Sequence, residues 1–235
     1  MKIGYPCINL SLDCRSSKTF RLKAYSEERL VQTISNNLNC LQKILQYNVD
    51  NRILFFRITS DLIPFASHPI CSFDWQKQFQ AELRFIGEFI KKNKIRISMH
   101  PDQFTLINSI DEEIFQRSRK ELVYHAQVLD LMELDFTAKI QIHVGGVYGD
   151  KPAGLLRFVK RYDMLEEAVR KRLVVENDHT SYKVLDCLRI NESCGLPVLF
   201  DKFHHLLNND NENVCDMIRR CSTTWDKNDG LPMVD

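Results

Sequence analysis

Four residues able to bind a divalent metal, His100, His143, Glu176 and Asp201, each close a short apolar run rich in β-branched residues. The runs read RISMH, KIQIHVGG, RLVVEND and PVLFDKFHH. Neutral imidazole and carboxylate are ligands suited to Zn²⁺ or Mn²⁺. A lone histidine at a strand end is more often a hydrogen-bonded structural residue than a ligand. Four such residues, spaced by about one strand–loop–helix repeat, converge if the strands form a barrel, whose strand ends share one face. The chemistry expected is divalent-metal hydrolysis or isomerisation. Glu176, central in the series, suits a carboxylate bridge between two ions. Asp201 with His204 three residues later extends the set towards a third, and the spacing favours His204 over His205. His68, after DLIPFAS, is a candidate to line the site; His125 lies inside a helical pattern and reads as structural, and His179 is a weaker candidate.

The elements that must position these residues alternate. Strand-like runs cover residues 2–9, 52–59, 95–100, 139–144, 172–176 and 197–201, with a seventh at 231–235. Helical patterns lie between them. Residues 27–47 carry Leu30, Ile34, Leu38, Leu41, Ile44 and Leu45 near a 3.6-residue period, and 75–92 and 112–134 repeat the pattern. Ser26, Asp74 and Asp111 stand where N-caps belong. Strands alternating with helices predict right-handed βαβ units and a parallel sheet. The expected fold is α/β, a (β/α)8 TIM-like barrel in one domain over residues 1–235. The seventh strand ends the sequence, and an eighth strand and helix would need roughly 30 more residues. The expectation is therefore a C-terminally incomplete barrel.

Composition sets wide bounds. The net charge is +1, with 32 basic and 31 acidic residues, so no global basic signature marks a nucleic-acid binder. Local patches, not totals, set the field at a site. The eight cysteines contain no CxxC pair and read as reduced, mostly buried thiols of a cytoplasmic protein. No apolar run approaches membrane-spanning length, so no membrane partner is expected.

The segment HVGGVYGDK follows the fourth strand. A glycine run lets backbone amides approach a phosphate, or simply makes a tight turn. Beside candidate metal ligands, Lys151 reads as a phosphate contact, with Tyr148 on the same turn. Lys18, Arg157, Lys160 and Lys202 are further candidates for a basic rim, and Lys202 is placed beside the chemistry by its neighbour Asp201.

Taken together, GYPCINLSL, RITSDLIPFASH, SMHPDQF, HVGGVYGDK, VENDH with Tyr182 and Asp186, and FDKFHH resemble the UV damage endonucleases over essentially the whole chain. The resemblance implies a TIM-barrel repair enzyme, similar in architecture to endonuclease IV, holding up to three divalent metals, commonly manganese. It implies incision of damaged double-stranded DNA on the 5′ side of cyclobutane dimers and 6-4 photoproducts, by a monomer in the bacterial nucleoid. By the same resemblance His100 and His143 look like ligands of one metal, Glu176 like a bridge to a second shared with Asp201, and His204 like a ligand of the third. Tyr5, Gln103 and Phe104 match positions that probe the lesion. A base pair already weakened by damage costs less to unstack, which favours such probing. Glu176, His68 and Lys202 are the catalytic candidates. The chain departs from the family at Asp102, where Gly is common, and at Phe104, where Tyr is common. Met233 and Asp235 stand where many members carry Lys and His; Asp235 remains able to bind metal.

Three other readings stay open. The same class of site serves abasic-site endonucleases of the endonuclease IV type. Metal-dependent sugar isomerases and epimerases also bring Glu, Asp and His to a barrel rim. A version with an incomplete metal site would bind damaged DNA without cutting it.

Overall fold

The computed structural model describes residues 1–235 and forms two compact units, Met1–His100 with Tyr124–Ala138, and Pro101–Val123 with Lys139–Asp235. The architecture is α/β and TIM-barrel-like, with parallel strands alternating with helices along the chain.

In the first unit, β1 (Gly4–Pro6), β2 (Phe55–Ile58) and β3 (Arg96–Met99) pair in parallel and in chain order. Gly4 is required in β1, because a Cβ there would lie 1.9 Å from the Phe55 carbonyl oxygen. Helix α1 (Glu27–Asp50) buries Leu30, Ile34, Leu38, Leu41, Ile44 and Leu45, the face read from the period, and continues three residues past the expected end. Ser26 caps it by accepting the Arg29 amide at 3.2 Å. The helix expected over 75–92 is broken into α2 (Trp75–Gln78) and α3 (Gln80–Lys92). Phe79 leaves helical geometry between them and is buried, so core packing overrides the local period. Gly87 of α3 sits against the Met132 carbonyl, where a Cβ would come within 1.7 Å.

The second unit contains β4 (Lys139–His143), β5 (Leu173–Glu176) and β6 (Val198–Leu199), again parallel and in chain order. Helices α5 (Lys151–Tyr162), α6 (Glu167–Arg170), α7 (Val184–Cys194), α8 (Lys202–Leu207) and α9 (Val214–Ser222) follow the strands. Helix α4 (Glu112–Leu131) precedes β4 and is capped by Asp111, whose carboxylate accepts the amides of Glu113 and Ile114. The seventh strand is reduced to one parallel bridge, Phe200 to Val234, with the Asp235 amide donating to the Phe200 carbonyl at 3.0 Å. Strand β5 is apolar up to its closing Glu176, and all of β5 and every residue of β4 except His143 are buried, as a helix-covered parallel sheet requires.

One cysteine expectation is corrected. Cys14 and Cys40 form a disulfide that ties the segment between β1 and α1 to the middle of α1. The two residues have no local motif, because their pairing depends on how that segment folds back. The other six cysteines are free, with Cys187 and Cys221 buried. No helix is long and apolar enough to cross a membrane.

Candidate metal centre

The strand ends of the second unit deliver the acidic residues to one place. In the β4–β5 register His143 lies opposite Glu176, and His143 Nε2 is 3.1 Å from Glu176 Oε1. Glu176 is only 2% exposed. Asp201 follows β6 and caps α8, accepting the His204 amide at 2.7 Å. Asp235 is carried in beside β6 by the Val234 bridge. Oxygens of Glu176, Asp201 and Asp235 all lie within 4.8 Å of one another. Carboxylates this close repel by about 3–4 kcal/mol per pair at an effective dielectric of 20. A bound divalent cation removes that penalty.

Gln141 gives independent support. It lies two residues before His143 on β4, so both side chains point to the same face. Its Nε2 donates to Glu176 Oε2 at 2.9 Å and to Asp235 Oδ2 at 2.7 Å. Its Oε1, fully buried, has no hydrogen-bond partner. A buried acceptor without a donor is costly, and this one belongs to the side chain whose amide nitrogen holds the carboxylate cluster. The donor set and the orphaned oxygen fit a divalent metal.

Asn177, buried directly after β5, organises the other edge. It accepts the Asp201 amide at 3.0 Å and donates to the Asp201 carbonyl at 2.9 Å. Its own carbonyl lies 3.0 Å from His204 Nδ1, which is also 3.2 Å from Asp201 Oδ2. A proton on Nδ1 directed at that carbonyl leaves Nε2 as the neutral, ligating nitrogen. The His204 ring lies 5.3 Å from that of His143 and 5.5 Å from that of His179. Neither Gln141 nor Asn177 was singled out by the sequence; the period-two spacing of Gln141 from His143 was the available signal.

Several sequence candidates take other positions. Lys151 is an ion-pair partner of buried Asp186, with Nζ 2.5 Å from Oδ2, and lies 5.5 Å over the Tyr182 ring. The glycine run is a tight turn held by side chains: Asn108 accepts the Gly146 amide at 3.2 Å and donates to the Gly146 carbonyl at 2.9 Å, and the Tyr182 hydroxyl donates to the same carbonyl at 3.0 Å. Burial pushes the Tyr182 phenol up from its ordinary pKa. Tyr148 has a positive φ of 51° and remains 40% exposed, with Arg157 over its ring. His205 is buried against Phe200.

Phe104 is 73% exposed in the turn after β3, and Gln103 beside it is also exposed. The carboxylate of Asp102 accepts the Phe104 amide at 3.1 Å, so this departure from the family has a local structural use. Lys202 is exposed at the start of α8. In the first unit, His100 follows the last residue of β3. Tyr5 donates to Asn48 at 2.6 Å and accepts from Asn9 at 2.5 Å, with its ring edge-on to Phe56. His68 is exposed, and its Nδ1 accepts the Ile70 amide. His125 is buried within α4.

The model of the family described as UV-endonuclease UvdE matches residues 1–233. The chain belongs to that family. A UV DNA damage endonuclease of Clostridium perfringens (strain 13 / Type A) is 41% identical over 228 residues, 97% of this chain. The chain spans 55% of that relative's length. The crystal structure of SacUVDE superposes with a TM-score of 0.93 at 45% identity, covering 96% of this chain and 77% of that one. Endonuclease IV from Thermus thermophilus matches with a TM-score of 0.50 and 15% identity over 70% of this chain and 58% of that one, a likeness of fold alone.

Proposed function

We propose that this UvdE-family chain carries the metal-binding part of a DNA repair endonuclease that hydrolyses the phosphodiester on the 5′ side of UV photoproducts. The observation that carries the reading is the convergence of Glu176, Asp201 and Asp235 beside His143 and His204. Glu176, Asp201 and Asp235 would hold divalent metal through oxygen, and His143 and His204 through nitrogen; His100, of the HPDQF motif, enters the reading as a further nitrogen ligand. Bound metal, with Mn²⁺ the expected ion and up to three of them, would polarise the phosphate and lower the pKa of a water.

The chain's own residues do the remaining work. Gln141 holds Glu176 and Asp235 in one orientation. Asn177 fixes the Asp201 backbone and the His204 ring. Lys202, exposed and next to Asp201 in the chain, is assigned the phosphate contact in this reading. Gln103 and Phe104, exposed on the turn after β3, supply an amide and an aromatic face to fill space left by extruded bases. Tyr148 adds a second partly exposed ring. Tyr5 enters the reading as a lesion contact and His68 as a catalytic residue from their motifs. The substrate is damaged duplex in the nucleoid, and the chemistry needs only a monomer.

The test compares three otherwise identical duplexes, with a single cyclobutane dimer, a single abasic site, or no lesion, under Mn²⁺. Incision 5′ to the dimer, preferred over the abasic site, supports the reading. Preference for the abasic site transfers the chain to the endonuclease IV type of activity. Binding without incision of either would mark a damage-recognition protein.

A further inference from the structure

The first unit has a groove of about 630 Å³ between α1, α3 and the segment that follows β1. Its charge is one-sided. Arg15, Lys18 and Lys43 line it, none of them in an ion pair, and no Asp or Glu does. Along α1, Asn36, Asn39, Lys43 and Gln46 form an exposed stripe at helical spacing. From α3, Phe85 (59% exposed) and Phe89, one turn apart, present aromatic rings to the same groove.

The two cations outside α1 are held there by the fold. Cys14, adjacent to Arg15, is bonded to Cys40 of α1. Three residues past Arg15, the backbone of Lys18 is gripped at both ends by fully buried Asn37, which accepts its amide at 3.0 Å and donates to its carbonyl at 2.9 Å. Two anchors on successive turns of α1 thus fix the basic segment against the aromatic side.

Cations for phosphates, planar rings for bases and amides for base edges are the three components of sites that take single-stranded nucleic acid. We propose that this groove is an accessory site for a strand of single-stranded DNA, with Arg15, Lys18 and Lys43 on the backbone and Phe85 stacked on a base. The inference uses no residue of the carboxylate cluster, so a chain that fails to cut DNA can still bind here.

The test is the affinity of the full chain for a fluorescent twelve-residue oligothymidylate across a salt series. The Arg15→Ala/Lys18→Ala/Lys43→Ala variant should bind weakly and flatten the slope of log affinity against log salt by about 2, at roughly 0.7 per lost phosphate contact. Phe85→Ala and Phe85→Leu should each weaken binding by about 5- to 150-fold without changing the slope, the loss expected of one stacked base. All three variants change exposed residues, so folding is preserved. Wild-type affinity and slope in the triple variant would overturn the proposal. So would wild-type affinity in both Phe85 variants, or displacement of the oligomer by thymidine monophosphate at equal nucleotide concentration. Incision of the dimer duplex, measured separately, reports on the other site.

Discussion

Lys151 and Asp186 form an ion pair between the start of α5 and the first turn of α7, 35 residues apart, with the carboxylate almost fully buried. Asp186 also accepts the Lys183 amide at 2.9 Å, so the same carboxylate caps α7. Lys151→Met therefore leaves the buried carboxylate with only the longer ion-pair contact to Arg189 at 3.5 Å, and the expected result is a loss of about 1–3 kcal/mol, the lysine being partly exposed. Thermal unfolding checks the loss. A weakened DNA affinity with unchanged melting would instead assign Lys151 to phosphate.

The β4–α5 turn has a comparable constraint. Gly145 has φ of 110°, and a Cβ there would lie 2.3 Å from Asn108 Oδ1. Gly145→Ala is expected to cost about 1–3 kcal/mol through backbone strain alone. Asn108→Ala should also destabilise, by removing both hydrogen bonds to Gly146. Chemical denaturation of each variant measures these losses; an unchanged midpoint in both would show that the turn is not under tension.

How much of this was legible in the sequence depends on the range of each cause. Strand ends were legible because Glu176 and Asp201 close their own β-branched runs, and α1 because its apolar period is local. Phe79 breaks the second helix through burial, which no local pattern records. The ion pair of Lys151 was not legible, because its partner Asp186 lies a whole βα unit away. Gln141 was within reach, since period-two alternation from His143 puts it on the same face, but a glutamine within a strand carries no ligand chemistry of its own. Asn177 is legible only once its pairing with Asp201 is known.

Gln141 provides a prediction about metal binding. Residues that orient metal ligands typically matter 10- to 100-fold, so Gln141→Leu should weaken Mn²⁺ binding by about that factor. Calorimetric titration of Mn²⁺ into the metal-free chain checks this. Equal affinity in the variant would reduce Gln141 to a packing role.

Reduction of the Cys14–Cys40 bond, whose partners are separated by 26 residues, should cost about 3–4 kcal/mol on the loop-entropy account. The melting temperature with and without a phosphine reductant reads this directly. No change would mean that Asn37 alone secures the segment.

The central claim is that the carboxylates at the strand ends hold the metal used for incision. The most direct measurement is Mn²⁺-dependent cleavage of a duplex with one cyclobutane dimer, by the wild-type chain and by Glu176→Gln, which keeps the shape of the side chain and removes its charge. The account predicts cleavage 5′ to the dimer by the wild type, abolished by a chelator and lost in the variant. Undiminished cleavage by Glu176→Gln would contradict it.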